Sequence, residues 1–332
     1  MTTELPGNYT VRDNCGFPLQ EGEFNMDDTI TLLEFVDTWL ETFKKNTVKA
    51  ASYERLLVSK EALKKFSIAE KQIREITFFD IQRYVNDLVD AGYSMSGVKK
   101  QLRIVTAPLK QAAAIRMIPA DPSIGVRLPT ETKVKKKAKD VTAYTQKEQE
   151  KLYAKIREST SVGYLAVAFM METGLRSGEL LALKWSDIEM EKSKLRVHAT
   201  IAFLMNNQKA FYQESPKSKA SIRFVPLTAK AMAILKILKE KRKTEWVFEN
   251  DSGRYSYKQL MCQTKKLCRE AKVAYHGEHA FRHTFATNCF YKGINVKILS
   301  RLMGHSSVQV TYNTYIHLYG DGFDEMYAAL CL

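Results

Sequence analysis

"HAFRHTFATNCFYKGINVKILSRLMGHSSVQVTYNTYIHL", residues 279–318, reads as a succession of short helices: 279–292, 295–303 and 306–318. Gly304 ends the middle one and presents His305 at a junction, where Ser306 or Ser307 can cap the next helix. His279 and Arg282 stand one helical turn apart and point the same way, so both can donate to a single oxyanion. His283, the next residue, is expected to face elsewhere, into the domain. Tyr312, Tyr315 and Tyr319 follow at i, i+3 and i+7, a spacing that suits a packing stripe as well as a row of reactive phenols. Spacing alone does not choose between them.

Working back along the chain, "TGLRSGELLAL" at 173–183 sets Arg176 between two glycines, after an apolar helix and before another helical run. Its flanking glycines permit close approach of a ligand or a backbone. Glu179, three residues on, could orient that arginine or be a plain helix-start carboxylate, and Asp187 has no assigned role. "LRVHATIAF" (195–203) and "ASIRFVPL" (220–227) are rich in β-branched and aromatic residues and predict a hairpin or small antiparallel sheet. Lys217 and Lys219 lie on the connection entering its second strand. Further helices are predicted over 228–239 and 256–271, and the capping box "TQKE" at 145–148 opens this second domain, taken as 142–320.

The first half has a different texture. Residues 1–28 lack apolar periodicity and read as an extended or partly disordered leader. From Thr29 on, Leu33, Val36, Leu40 and Phe43, with Trp39 beside them, recur at helical spacing behind a cap at Asp28 or Thr29. A second helix is predicted over 50–66. A third starts at the Thr77/Asp80 capping box and stops at Gly92, and a fourth covers 96–116 with a kink at Pro108. Residues 29–125 thus form a helical unit. Residues 126–141, with five lysines in "KVKKKAK" and its flanks and no apolar face, read as an exposed basic linker that either tethers or lies along phosphates.

Composition sets wider bounds on the whole chain. Its 332 residues carry 51 Lys plus Arg against 37 Asp plus Glu, a formal charge of +14 that suits a polyanionic partner. Five cysteines without a CxxC pair indicate neither a disulfide framework nor a zinc knuckle. No signal pattern or run of spanning length is present, so a cytoplasmic protein without membrane contact is expected, associated with the nucleoid when on DNA.

Taken together, "TGLRSGELLALKWSDI", "SPKSKASIRFVPL", "HAFRHTFATNCFYKGINVKILSRLMGHSS" and "TYNTYIHL" resemble the tyrosine recombinase (phage integrase) family of mobile elements, motif by motif across 142–320. The resemblance implies a mainly α fold with a small antiparallel β-sheet (α+β), in which a helical core-DNA-binding domain precedes the tyrosine recombinase catalytic domain. It implies site-specific cleavage and rejoining of DNA through a 3′-phosphotyrosyl intermediate, without metal or cofactor. Arg176 and Arg282 would clamp the scissile phosphate, suited by their planar forks. His279 and His305 would hydrogen-bond it, His279 also accepting the phenol proton. Lys217, with Lys219 as the alternative, would protonate the 5′-oxygen. Tyr315 matches the family's nucleophile position in "TYNTYIH", with Tyr312 in reserve.

Expected partners are double-stranded DNA at attachment or core sites, three further copies in a homotetramer assembled on that DNA, and accessory DNA-bending or directionality factors. The tail, 321–332, carries Phe323, Met326, Tyr327 and Leu330 as a short apolar stripe suited to docking on a neighbouring protomer. Many integrases carry an extra arm-site-binding domain of about sixty residues, for which the 28-residue leader is expected to be too short, so either action on simple core sites or a remnant leader is expected. Two rival readings remain: a type IB topoisomerase-like enzyme that nicks and reseals, and a non-catalytic DNA-binding regulator.

Overall fold

The computed structural model describes residues 29–130, 134, 142–203, 210–213, 222–305 and 307–315, the side chains of 203, 210 and 313–315 excepted. The chain divides into two compact units, Met1–Ala138 and Lys139–Leu332.

Helix α1 (Leu32–Trp39) opens the first unit and buries Leu32, Phe35, Val36 and Trp39, the i, i+3, i+4, i+7 face of an amphipathic helix. Its cap is Thr31 rather than Thr29. The Thr31 hydroxyl accepts the Glu34 N–H and the Glu34 carboxylate accepts the Thr31 N–H, which satisfies two donors at once. One π-helical turn, Leu40–Lys44, continues it. Helix α2 (Ala50–Leu63) ends three residues sooner than 66. Helix α3 (Phe78–Asp90) begins at the anticipated box, where Asp80 also pairs with Lys71 at 2.7 Å, and it stops before Gly92, whose φ is +78°. Helix α4 (Met95–Ala114) carries Pro108 inside it without ending there.

These helices share one core, from Leu32 to Ile118, with Val126 packed against it. Gln82 holds Arg127 by a two-way amide pairing, 2.9 Å from the Arg127 N–H and 3.1 Å to its carbonyl. The expected linker therefore starts later than 126. Nor is it uniformly a solvated tether, because Val134 is buried. The leader and the lysines at 133 and 135–139 lie outside the described residues.

In the second unit, α5 (Gln146–Arg157) is capped by the Thr145/Glu148 box as read from the sequence. Helix α6 (Val162–Thr173) is apolar on all sides because it is the central helix, packed by neighbours all round. The short helix α7 (Ser177–Leu181) follows. Strands β1 (Ile188–Glu189), β2 (Lys194–Val197) and β5 (Arg223–Pro226) form an antiparallel sheet in the order β1-β2-β5, with Leu195 opposite Val225 and Val197 opposite Arg223.

The predicted strand at 195–203 is split. Its second half, β3 (Thr200–Phe203), pairs with β4 (Ala210–Gln213) as a separate two-stranded ribbon. Helix α8 (Ala229–Glu240) leads to a small hairpin of β6 (Glu249–Asn250) and β7 (Gly253–Arg254), which the sequence reading did not anticipate. Helices α9 (Tyr257–Glu270), α10 (His279–Tyr291), α11 (Val296–Met303) and α12 (Val308–Tyr315) complete the unit. None of the described helices is long and apolar enough to cross a membrane.

Gly174 ends α6 in the left-handed conformation, φ +65°, and a Cβ there would lie 2.3 Å from the Phe285 ring of α10. Both the backbone angle and the space demand glycine. Gly174→Ala is expected to destabilise the second unit by more than about 1 kcal/mol, from the left-handed penalty alone, read as a lower denaturant midpoint.

Candidate active site

The turn after α6 delivers Arg176 to the start of α7. Its backbone N–H donates to Glu179 Oε2 at 2.9 Å, and its Nη1 donates to Glu179 Oε1 at 2.8 Å. Glu179 is buried, so the structure decides for the orienting role over an exposed carboxylate. A second fork meets it from β5: Arg223 Nη1 lies 3.1 Å from Oε1 and Nη2 lies 2.9 Å from Oε2. This bidentate pair is the strong geometry for guanidinium and carboxylate.

The same arginines reach the end of α11. An α-helix leaves its last carbonyls without intrahelical partners, and its C-terminus is the negative end of the dipole. Here Arg223 Nε donates to the Leu302 carbonyl at 2.6 Å, Arg282 Nη2 donates to that of Met303, and Arg176 Nη2 donates to that of Gly304 at 3.2 Å. Arg282 also donates to the Gly174 carbonyl at 2.7 Å. Three consecutive carbonyls are thus held by three arginines from different elements. The turn is left-handed at Gly304, with φ +63° and the His305 N–H closing on the Ser300 carbonyl at 3.1 Å. A Cβ on Gly304 would lie 2.9 Å from Arg223 Nη1.

His305 leaves this turn with Nδ1 2.6 Å from the hydroxyl of Thr311, a fully buried residue of α12. His279, accessible at the start of α10, meets the His283 ring edge-on at 4.9 Å between centroids. This corrects the expectation that His283 faces elsewhere; positions i and i+4 of a helix share a face as i and i+3 do.

Electrostatics follow from the packing. Burial alone would raise the Glu179 carboxyl, but Arg223 first, then Arg176 and Arg282, hold it down at about 2. Desolvation, reinforced by Arg282, Arg176 and Arg223, pushes His305 down to about 4. Burial together with His279 and Arg282 does the same to His283, also to about 4. His279 is lowered by the protein around it and by Arg282 and Arg176. The His283 and His305 rings are thus neutral at neutral pH, able to accept or donate a hydrogen bond.

The sequence-predicted residues therefore fall into two groups. Arg176, His279, Arg282 and His305 converge around Glu179 and the α11 terminus. Arg176 keeps 37% of its side chain exposed, whereas Arg282 is 1% exposed and turned to backbone carbonyls. Lys217 and its alternative Lys219 lie outside the described residues. Tyr315 is the last described residue of α12. Tyr312 is 43% exposed, and Tyr319 lies outside the described residues. Asp187 gains a role: it accepts the Lys184 N–H and lies 2.8 Å from His198 Nε2.

Arg223 went unnoticed in the sequence, although a signal exists. Along "IRFVP" the arginine alternates inward with Val225 while Ile222 and Phe224 point out, 48% and 52% exposed. A charged side chain in phase with the core face is the mark of a buried partner.

The sign of the pH dependence is set by these shifts. An unfolded chain protonates His283 and His305 near 6.5, the folded chain only near 4, so over that interval the unfolded state binds more protons and stability falls as pH falls. Glu179 adds a further loss below its unfolded value of about 4.5. The denaturant midpoint is expected to drop steadily from pH 7 to pH 4, about the titration range of these rings, and His283→Gln and His305→Gln should each flatten that slope.

Comparison with known proteins gives the family and the fold. Residues 143–321 match the model of the phage integrase family. The chain is 28% identical over 315 residues to a XerC-like tyrosine recombinase of Caldanaerobacter subterraneus subsp. tengcongensis, covering 87% of this chain and 80% of that one. It is 25% identical over 296 residues to the transposase from transposon Tn916 of Enterococcus faecalis, covering 82% and 70%. In fold it is similar to the Tn1549 transposon integrase solved in complex with transposon right end DNA, with a TM-score of 0.78 at 19% identity over 91% of this chain and 100% of that one. With a family match over more than half its length and a mainly α second unit, the chain belongs to the phage integrase family of tyrosine recombinases.

Proposed function

We propose that this site-specific DNA recombinase cleaves and rejoins duplex DNA through a 3′-phosphotyrosyl intermediate formed on Tyr315. The observation that carries the proposal is the convergence of Arg176, Arg282, His279 and His305 about one buried carboxylate. Among Arg176, Arg223, Arg282 and Glu179, three positive charges against one negative leave a formal +2, a field suited to a phosphodiester and to the charge that builds on its non-bridging oxygens.

The phenolic oxygen of Tyr315 attacks phosphorus and gives up its proton to neutral His279. Lys217 protonates the departing 5′-oxygen. Arg176 takes a non-bridging oxygen through its fork, and His305, oriented by Thr311, donates to the same phosphate. Arg282 fixes the turns on either side of the site and adds its charge. The phosphotyrosyl bond conserves the energy of the phosphodiester, so a 5′-hydroxyl can reverse the attack without a nucleotide. Neither the topoisomerase-type reading nor the non-catalytic one gains an observation from the site.

The helical unit Met1–Ala138 would serve as a core-DNA-binding domain, and the formal charge of +14 supports a grip dominated by phosphate contacts. Assembly as a tetramer on DNA is supported by a groove of about 620 Å³ beside the α11 turn, where Ile222, Phe224, Ile298 and Val308 are exposed. The apolar stripe of residues 323–330 from a neighbouring copy has the chemistry to fill it.

Covalent trapping on nicked duplexes drawn from a randomised-core pool tests the reaction, without added metal or nucleotide. Wild type is expected to give an adduct at a 3′-phosphate and Tyr315→Phe none, with duplex binding retained. An equal yield from the variant would transfer the role to Tyr312. Binding itself should weaken steeply with salt, by about 10³-fold or more between 50 and 200 mM if six or more phosphates are contacted.

A further inference from the structure

Arg223 stands within the stretch "SPKSKASIRFVPL" but was given no role there, yet its side chain holds both Glu179 oxygens and the Leu302 carbonyl. It begins β5, immediately after the segment that carries Lys217, and its side chain is 6% exposed. One guanidinium plane grips both Glu179 oxygens and, through Nε, the Leu302 carbonyl. Arg176 Nη1 meets the same carboxylate at 2.8 Å, on the Oε1 that Arg223 Nη1 also reaches. His305 follows Gly304 directly and closes the same turn through its N–H on the Ser300 carbonyl. Gly304 leaves room for the Arg223 guanidinium, since any Cβ there would crowd it.

We infer that Arg223 is a positioning residue for strand cleavage: its fork locks Glu179, and thereby Arg176, in register with the α11 turn that presents His305. The inference rests on the recombinase reading of the site and names a residue on which that site depends. A lysine at 223 would keep a charge beside Glu179 but has no planar fork with which to span the carboxylate and the carbonyl at once. A methionine would keep length and volume while leaving the Glu179 carboxylate and the Leu302 carbonyl without that partner.

The test uses the full-length protein and the duplex that wild type traps from the randomised pool. Single-turnover adduct rates, duplex affinity and thermal melting are measured for Arg223→Lys, Arg223→Met, Glu179→Gln and the double variant Arg223→Met/Glu179→Gln. Arg223→Lys is expected to melt near wild type and bind the duplex as well, yet to form adduct roughly 10- to 100-fold more slowly, the size of loss seen when a group that orients an active-site ligand is removed. Arg223→Met and Glu179→Gln should each slow adduct formation similarly, and the double variant should be no slower than the worse single one.

A lysine variant as fast as wild type would overturn the inference, since a role in stability alone is then all that remains. So would rate losses that multiply in the double variant, because the two residues would be acting independently. If Arg223→Met does not fold, the lysine variant combined with Glu179→Gln provides the cycle. Failure of wild type to trap any duplex would instead sink the recombinase reading, and this inference with it.

Discussion

The second unit is organised around a carboxylate that has been taken out of water. Burying Glu179 without partners would cost several kcal/mol, and the attraction of nearby guanidiniums offsets that cost only if the geometry is tight. The chain meets the requirement with Arg176 from the turn after α6 and Arg223 from β5, while Arg282 of α10 adds its field. Each of these arginines also donates to a carbonyl at the end of α11. A buried anion and a helix terminus, both electron-rich and otherwise unsatisfied, are therefore satisfied by one set of cations. Removing any member leaves another charge or carbonyl stranded, so the cluster holds together as a unit rather than as a sum of pairs.

This arrangement accounts for features that look unrelated in the sequence. Gly174 and Gly304 are the turns that bring two chain segments within reach of Arg282, and both have positive φ. The all-apolar α6 anchors the first of those turns against α10. The lowered proton affinities of His283, His305 and His279 follow from the same guanidiniums that hold Glu179 ionised. Cationic density gathered around one carboxylate thus also disfavours charge on the imidazoles beside it.

Much of this was legible before any coordinates, for identifiable reasons. Capping at Thr77 and Thr145 is local chemistry, set by residues three apart, and it appears as read. Arg176, His279, Arg282 and His305 were marked by their motifs and do converge. Tertiary alternation was harder: the strand at 195–203 breaks near His198 because β2 and β3 take different partners, which no local pattern encodes. Arg223 was invisible because a single charged residue in a hairpin strand reads as a solubilising group until its phase against Val225 is counted. Thr31 displaced the expected cap because its box partner, Glu34, lies two residues further into the helix than a cap at Thr29 would require.

The closing bonds between the arginines, Glu179 and the carbonyls join residues from 174 to 304, all upstream of α12. Thr311 reaches back to His305, not to any arginine, by the described hydrogen bond. Helix α12 is tied to that cluster through the α11 turn, at His305 by Thr311 and at Ser300, whose hydroxyl donates to the Ser307 carbonyl. A shift of α12 is therefore felt first at the His305 ring, so the orientation of that imidazole and the seating of the last described helix are two readings of one hydrogen bond.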